Sequence, residues 1–189
     1  LWDWQKGEYF YSFIKKHGYR DRQTIFDIGC GYGRLAIPVL KNQKSQGKYI
    51  GSEISKKRLE LAKDWIEKEK LSDKNHQLFF DKGLNLDFLE DSSVDCFTAF
   101  SVFNHMPDNE FRQLACSLGK KMKSGGIGFC HIVIPEGYTF RGVNAFPRTI
   151  ENYATVFSKF GFQLTELTDY KVSSDTQQKW IKMLKVVKH

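Results

Sequence analysis

The stretch that decides the fold is residues 24–36, which read Thr24-Ile25-Phe26-Asp27-Ile28-Gly29-Cys30-Gly31-Tyr32-Gly33-Arg34-Leu35-Ala36. A short apolar run leads into three alternating glycines and then into helix-forming residues, an order that predicts a strand, a tight turn and a helix. The glycines allow positive φ and leave room for a ligand against the peptide groups. We predict a strand at 24–28 and a helix at 34–42 whose free N–H groups point at that ligand.

Asp27 ends this strand two residues before the first glycine, inside the predicted crevice. A dinucleotide-binding fold uses the spacing G-x-G-x-x-G and places a pyrophosphate at the helix N-terminus. Here the third glycine comes one residue earlier, and the Asp27 carboxylate would repel a pyrophosphate. The turn therefore suits a cationic or zwitterionic ligand. A turn that binds nothing is the disfavoured alternative, because three glycines cost stability.

A second acidic residue lies on the next predicted strand, residues 49–55. Glu53 comes twenty residues after Gly33, so its carboxylate is expected at the carboxyl end of a neighbouring parallel strand, over the same crevice. Its two oxygens can accept hydrogen bonds from the two hydroxyl groups of a ribose. The alternative is a solvated acid at the end of a strand.

The run from Asp27 to Gly33 resembles, position by position, the first motif of the class I S-adenosylmethionine-dependent methyltransferases, and the resemblance extends over residues 24–188. It implies S-adenosyl-L-methionine as cofactor and S-adenosyl-L-homocysteine as product. It also implies that Asp27 and the glycine turn hold the methionyl end, while Glu53 holds the ribose.

The resemblance also implies a fuller set of cofactor contacts. The expected cofactor-binding residues are Asp27, Gly29, Cys30, Gly31, Gly33, Arg34, Glu53, Ile54, Asp81, Lys82, Gly83, Leu84 and Ser101. Ile54 is expected on the adenine face, and Leu84 over the same ring. Which residue of the run 81–83 meets the adenine amino group is left open, because the sequence departs from the family's commoner order there. The small Ser101 would let the methionyl part approach the backbone.

One residue is a candidate catalytic base, and one loop is a candidate for contacting the methyl acceptor. A hydroxyl acceptor must lose its proton, and a histidine is suited to take it. His105, just after the fourth strand, is the candidate base; the alternative is that it only packs or bonds to the backbone. The loop 135–148 is the candidate for substrate contact, since such loops carry specificity, or else an ordinary connector. Its candidate residues are Tyr138, Arg141, Phe146 and Arg148.

The order of elements predicts an α/β fold: a doubly wound, mostly parallel seven-stranded sheet with helices on both faces. The resemblance adds a reversed last strand. We predict one methyltransferase domain over 1–189, with its core at 24–188 and an N-terminal helix within 1–20. This helix is expected either to pack on the sheet edge or to cover the cofactor through Trp2 or Trp4. Further strands are expected at 77–80, 96–101, 127–133, 163–167 and 180–187, helices at 56–70, at 109–122 and after Thr149, and a turn at 123–126.

Composition narrows the class of protein. The 189 residues carry a net charge of +7, but lysine outnumbers arginine and is spread along the chain, which favours a solvated surface over a nucleic-acid partner. No apolar run reaches the length of a membrane span, and no signal peptide is visible. The cysteines lack metal-ligand spacing and read as reduced core residues of a cytoplasmic protein; they are Cys30, Cys96, Cys116 and Cys130. No metal site is expected.

The favoured function is methyl transfer to a small-molecule or sugar-type acceptor, at oxygen. The stretch after strand four, Ser101 to Asn104, lacks the N/D-P-P-Y/F pattern of many nitrogen methyltransferases. An RNA or protein methyltransferase is one alternative. Another is a non-catalytic binding module of a larger protein, since the chain begins at Leu1 without a methionine. A nicotinamide oxidoreductase is disfavoured by the glycine spacing. The oligomeric state is left open.

Overall fold

A computed structural model gives the fold and describes residues 4–81, 84–135, 145–171 and 180–189. The helices are α1 Trp4–Lys16, α2 Ala36–Asn42, α3 Lys56–Lys68, α4 Asp108–Lys121 and α5 Ile150–Ser158. The strands are β1 Thr24–Ile28, β2 Lys48–Glu53, β3 His76–Phe80, β4 Val94–Phe100, β5 Met122–Val133, β6 Phe162–Glu166 and β7 Ile181–Lys188. A short 3-10 turn spans Phe103–His105.

The strands form a seven-stranded sheet in the order β3-β2-β1-β4-β5-β7-β6. β1 pairs with β2 in parallel, and β2 pairs with β3 in parallel. β7 runs antiparallel to both of its neighbours, β5 and β6. The predicted mostly parallel sheet with a reversed last strand is therefore confirmed.

The chain divides into two compact units. The first comprises Leu1–Gly83 and Val94–Thr98, and the second comprises Leu84–Ser93 and Ala99–His189. The first unit contains α1, α2, α3 and the strands β1 to β3. The second contains α4, α5 and the strands β5 to β7. The division falls within β4, because its first five residues belong to one unit and its last two to the other.

Two strands of the first unit, β1 and β2, are buried on both faces. Four of the five residues of β1 are buried, which is typical of a central parallel strand. The helix α3 covers such strands with a buried stripe at helical spacing, Leu59, Ala62 and Ile66. Ser55 caps this helix, because its side chain accepts a hydrogen bond from the backbone N–H of Arg58. The helix predicted within 56–70 is therefore confirmed.

The second unit is held by aromatic packing. Phe111 packs edge-on against Tyr153 and Phe157, with ring centroids 5.1 and 5.5 Å apart. Phe103 lies against Phe111 at 5.0 Å. Such tilted contacts are the preferred geometry of aromatic pairs. Thr149 caps α5 by accepting a hydrogen bond from the backbone N–H of Asn152, and α5 is the helix that the sequence predicted after Thr149.

Two predicted boundaries need correction. The turn expected at 123–126 is wrong, since β5 begins at Met122 and continues through these residues. Gly125 takes a φ of 76°, so the glycines change the backbone locally without ending the strand. The helix expected from Arg34 begins at Ala36 instead. The chain is still in the turn at Gly33, whose φ of 87° is incompatible with a right-handed helix.

The N-terminal helix packs closely on the end of the glycine turn. Phe10, Phe13 and Ile14 are buried, as expected of a packing helix. A Cβ atom added to Gly7 would lie 2.2 Å from the carbonyl oxygen of Arg34, so the two backbones meet at this glycine. The alternative that Trp2 or Trp4 covers the cofactor concerns side chains that lie outside what the structure describes.

Gly7→Ala tests this contact. Alanine favours a helix over glycine by about 1 kcal/mol, but the contact with a backbone oxygen should reverse the effect and destabilise the chain by about 1–3 kcal/mol. Ser12→Ala, at an exposed position of the same helix, is the matched control and should be neutral or slightly stabilising. Urea unfolding monitored by circular dichroism measures both. A Gly7→Ala chain as stable as the control would contradict the packing.

Candidate functional site

The glycine turn leaves an open space at its middle residue. Gly29, Gly31 and Gly33 have φ values of 65°, 59° and 87°, as the sequence predicted. A Cβ atom at Gly31 would have no neighbour within 4 Å. At Gly33 it would lie 3.4 Å from the side chain of Ala62. Gly33 is therefore used for packing on α3, whereas the Cβ position of Gly31 faces open space.

Glu53 connects this turn to the start of α3. Its carboxylate accepts a hydrogen bond from the backbone N–H of Gly31 at 3.0 Å and one from that of Ser55 at 2.9 Å. The side chain is only 4% exposed. Each carboxylate oxygen can accept a second hydrogen bond, so the group can also receive two donors from a ligand. The sequence predicted that Glu53 lies near the glycine turn, but not that it holds the backbone of that turn.

Asp27 lies within the protein, where it joins three strands. Its carboxylate accepts hydrogen bonds from the hydroxyl of Thr98 at 2.7 Å and from that of Tyr49 at 2.8 Å. These residues belong to β1, β4 and β2 respectively. Asp27 is 3% exposed, about as buried as Glu53, but each of its oxygens is bonded to a side-chain hydroxyl within the sheet. Sequence reasoning missed both hydroxyl partners, because neither lies in a recognisable motif.

The two acids influence each other and their neighbours. Burial raises the pKa of Asp27 from 3.8 to about 6, and the charge of Glu53 contributes to the rise. The hydrogen bonds from Thr98 and Tyr49 and the charge of Arg34 oppose it. Asp27 and Glu53 therefore belong to one electrostatic environment.

Cys30 is a packed neutral thiol. Burial raises its pKa well above the usual range, and the charges of Asp27 and Glu53 raise it further. A Cβ atom on Gly51 would come within 3.0 Å of the Cys30 sulfur, so the thiol fills the space that this glycine leaves. Cys30 therefore packs beneath the turn, in surroundings that disfavour the reactive thiolate.

Apolar surface is exposed next to Glu53. Ile54 is 72% exposed, which is unusual for a large aliphatic side chain at the end of a strand. Phe80, paired with Glu53 in the sheet, is also exposed, and the ammonium of Lys56 lies 5.2 Å from its ring centre. Asp81 follows directly, and its N–H donates to the carbonyl of Glu53 at 3.2 Å. Phe80 is a candidate that the sequence analysis missed; an aromatic residue at a strand end was the available signal.

Of the other residues predicted to contact the cofactor, Arg34 lies between two aromatic rings and Leu84 belongs to the second unit. The guanidinium of Arg34 lies 5.9 Å from the ring centre of Phe10 and 5.8 Å from that of Tyr32. Leu84 is half-buried and belongs to the second unit. Lys82 and Gly83 lie outside the described residues.

The predicted base His105 is exposed at the end of the 3-10 turn in the second unit. Its role as a base stays a prediction. Phe146, predicted to contact the acceptor, is exposed, and its N–H donates to the carbonyl of Asn104 at 2.8 Å. This contact ties the segment before α5 to the turn that carries His105. Tyr138 and Arg141 lie outside the described residues.

The prediction that Arg148 contacts the acceptor needs correction. The side chain is 7% exposed, and its guanidinium donates to the carbonyls of Phe103, Met106 and Phe146 and to the carboxylate of Asp108. A guanidinium has five N–H groups, and these hydrogen bonds use four of them. Arg148 therefore clamps the 3-10 turn and the start of α4 from within.

Among the described residues, no group of three or more histidine, cysteine, aspartate or glutamate side chains could hold a metal ion. In the same residues, no helix combines the length and apolar character needed to span a membrane.

The raised pKa of Asp27 predicts a pH-dependent effect of Asp27→Asn. Because folding favours the protonated acid, its stabilisation is fully present below pH 3.8 and is lost as the pH rises through about 6. The neutral asparagine has no such loss. Relative to Asp27→Asn, the wild type should lose about 1–2 kcal/mol of unfolding free energy between about pH 5 and 8. Urea unfolding at several pH values measures this, and a difference independent of pH would contradict it.

The contacts of Arg148 predict that replacing Arg148 destabilises the protein more than replacing its ion-pair partner Asp108. Arg148→Met leaves buried carbonyls without donors and should cost about 2–4 kcal/mol of unfolding free energy. Asp108→Asn should cost under about 1 kcal/mol, because the Asp108 side chain is 80% exposed and water replaces the ion pair. Thermal and urea unfolding of both variants measure this. Equal losses would mean that the ion pair, and not the carbonyl contacts, matters.

Comparisons with known proteins identify the family. A protein-family sequence model described as "Methyltransferase domain" matches residues 25–126, which is more than half of the chain. Methyltransferase GfsG of Streptomyces halstedii is 28% identical over 167 residues, covering 81% of this chain and 56% of that protein. The tRNA(Thr) (cytosine(32)-N(3))-methyltransferase of Saccharomyces cerevisiae is 31% identical over 109 residues, covering 54% of this chain and 17% of that protein. The chain thus spans about half of the first relative and less than a fifth of the second.

A solved structure gives the same fold. The magnesium protoporphyrin IX methyltransferase ChlM from Synechocystis PCC 6803, determined with bound SAH, superposes with a TM-score of 0.75 at 16% identity. The match covers 98% of this chain and 83% of that one. The glycine turn, the sheet order and the family match agree with each other. The chain therefore belongs to the family of class I S-adenosylmethionine-dependent methyltransferase domains.

Proposed function

We propose that the chain, as one domain, transfers a methyl group from S-adenosyl-L-methionine to a small-molecule acceptor, with a hydroxyl oxygen as the favoured atom. The observation that carries the proposal is the Glu53 carboxylate, buried and bonded to the N–H of Gly31 beside open space. An acid fixed at the edge of an open glycine turn is suited to bind the hydroxyl groups of a sugar.

The residues of the first unit fit the cofactor. The second lone pairs of the Glu53 oxygens can accept the two ribose hydroxyls. Ile54 and Phe80 offer exposed apolar surface for the adenine ring. The buried Asp27 supplies negative charge beneath the turn when it is ionised, which favours an ammonium group nearby. We propose these roles together with the wider set of cofactor contacts expected from the sequence.

When bound, the cofactor supplies a methyl group that is already activated by a sulfonium centre. The protein then has to hold and orient the two reactants and exclude water. The glycine turn and Glu53 bind and orient the cofactor. On the acceptor side, His105 is the proposed proton acceptor for a hydroxyl group. We also propose a cytoplasmic location, because none of the four cysteines forms a disulfide.

RNA is the second candidate acceptor. Two observations favour it: the yeast relative acts on a tRNA, and three consecutive exposed cations begin α3, namely Lys56, Lys57 and Arg58. A phosphate backbone would be attracted by such a run. The small-molecule acceptor is preferred because the lysines are otherwise spread along the chain.

Loss of the Glu53 carboxylate should weaken cofactor binding. Isothermal titration calorimetry with S-adenosylhomocysteine should show a Kd raised roughly 10- to 100-fold in Glu53→Ala, because charged hydrogen bonds are lost. Glu53→Gln should weaken binding less, since it keeps one acceptor oxygen. The matched control is Glu67→Ala, at an exposed position of α3, which should bind as the wild type does.

Circular dichroism of each variant separates loss of binding from loss of folding. Unchanged affinity in a folded Glu53→Ala chain, or binding of NAD as tightly as S-adenosylhomocysteine, would overturn the assignment. The acceptor class is then tested with methyl-tritiated S-adenosylmethionine and a panel of phenols, sugars, magnesium protoporphyrin IX and a tRNA(Thr) transcript. Label in the tRNA alone would favour the second candidate.

A further inference from the structure

Ser101 is an exposed residue at the end of a strand, and its backbone conformation is unusual for a serine. It is exposed, it follows β4 directly, and its backbone has a φ of 61°. A residue with a Cβ atom avoids this left-handed region, at a cost of about 1–2 kcal/mol. Strained positions of this kind cluster at functional sites, so an observed one motivates a search for its role.

His131 holds Ser101 at two points. The Ser101 N–H donates to the carbonyl of His131 at 3.1 Å, and the Ser101 hydroxyl lies 2.7 Å from the Nδ1 atom of the His131 ring. His131 is buried on β5, and its ring meets that of Tyr170 edge to face, with centres 5.5 Å apart. The imidazole is therefore fixed by packing, and it fixes the exposed hydroxyl in turn.

The hydrogen bond between Ser101 and His131 can run in either direction, depending on the tautomer of the ring. Hydrogen bonds from hydroxyl groups are commonly about 2.7–2.8 Å long, whereas those from N–H groups are commonly about 2.9–3.0 Å. A separation of 2.7 Å fits a Ser101 hydroxyl that donates to an unprotonated Nδ1 of His131, and this is the arrangement on which the proposal below rests. With its proton directed at His131, the Ser101 oxygen presents its lone pairs outward.

We propose that Ser101 and His131 form a receptor for a hydrogen-bond donor of the methyl acceptor, a hydroxyl or an amino group. Ser101 contacts that group, and His131 is the positioning residue that orients the Ser101 hydroxyl. The inference rests on the proposed function and narrows it. An ionised carboxylate has no proton to donate, so acceptors that carry only this group at the reacting end are disfavoured.

The first test examines the pair without any acceptor. The chain, which has five histidines, is labelled with 15N-histidine, and the His131 signals are assigned by their loss in His131→Asn. Long-range 1H–15N spectra at pH 8 should show His131 with an unprotonated Nδ1 and a protonated Nε2. In Ser101→Ala, the Nδ1 signal should move because its donor is gone. A protonated Nδ1, or no change in Ser101→Ala, overturns the proposal.

The second test separates the hydroxyl from the backbone conformation. Ser101→Ala removes the hydroxyl and keeps the strained Cβ, whereas Ser101→Gly removes the hydroxyl and relieves the strain. Activity is measured with the panel acceptor that the wild type methylates fastest. Both Ser101 variants should lower kcat/KM for this acceptor roughly 10- to 100-fold. If Ser101→Gly keeps the wild-type value, only the backbone matters and the proposal fails.

The third test addresses His131 through a conservative replacement. His131→Asn keeps an acceptor near the position of Nδ1 and should stay within about threefold of the wild type in kcat/KM. His131→Leu removes the acceptor and should match Ser101→Ala. Wild-type kinetics in His131→Leu, or equal losses in both His131 variants, would overturn the positioning role.

Failure of the proposed function would give a different pattern. The wild type would then not bind S-adenosylhomocysteine, or would methylate no member of the panel, while the His131 spectra would still decide whether the pair exists. A wild type that methylates only magnesium protoporphyrin IX, at its carboxylate, would confirm methyl transfer and contradict the preference for a donor group.

Discussion

The hydrogen bonds that the Asp27 carboxylate accepts from Tyr49 and Thr98 are the constraint on which the rest of the structure depends. A buried carboxylate is costly unless its oxygens are bonded, and here each oxygen receives one hydroxyl. Because the three residues lie on neighbouring strands, these bonds fix the base from which the glycine turn leaves the sheet. The position of the turn is thus set by polar contacts in the interior, while apolar packing supports it from both sides.

The two acids of the first unit have different tasks that follow from their surroundings. Asp27 is bonded only to side-chain hydroxyls among the contacts described, whereas Glu53 accepts backbone N–H groups at the edge of open space. Glu53 therefore keeps acceptor capacity for a ligand while it holds the turn in shape. The same carboxylate links the turn to the start of α3, so binding and local structure depend on one group.

The sequence predicted the elements and the edge of the sheet where the candidate site lies, because these follow from apolar periodicity and from glycine spacing. It could not predict which distant partner satisfies a given side chain. Arg148 illustrates this: a loop arginine suggests a surface contact, yet its guanidinium is enclosed by backbone carbonyls that the fold brings together. The same holds for Gly7, because only the packing of α1 against Arg34 shows why a side chain is excluded at this position.

The central claim is that Glu53 binds the ligand with the same carboxylate that holds the glycine turn. The most direct measurement is the amide NMR spectrum of the wild type during titration with S-adenosylhomocysteine. The account predicts that the amide signals of Gly31 and Ser55 both shift up to saturation, because new donors on Glu53 change the bonds that these amides make. Saturation with both signals unmoved, while amides elsewhere shift, would contradict it.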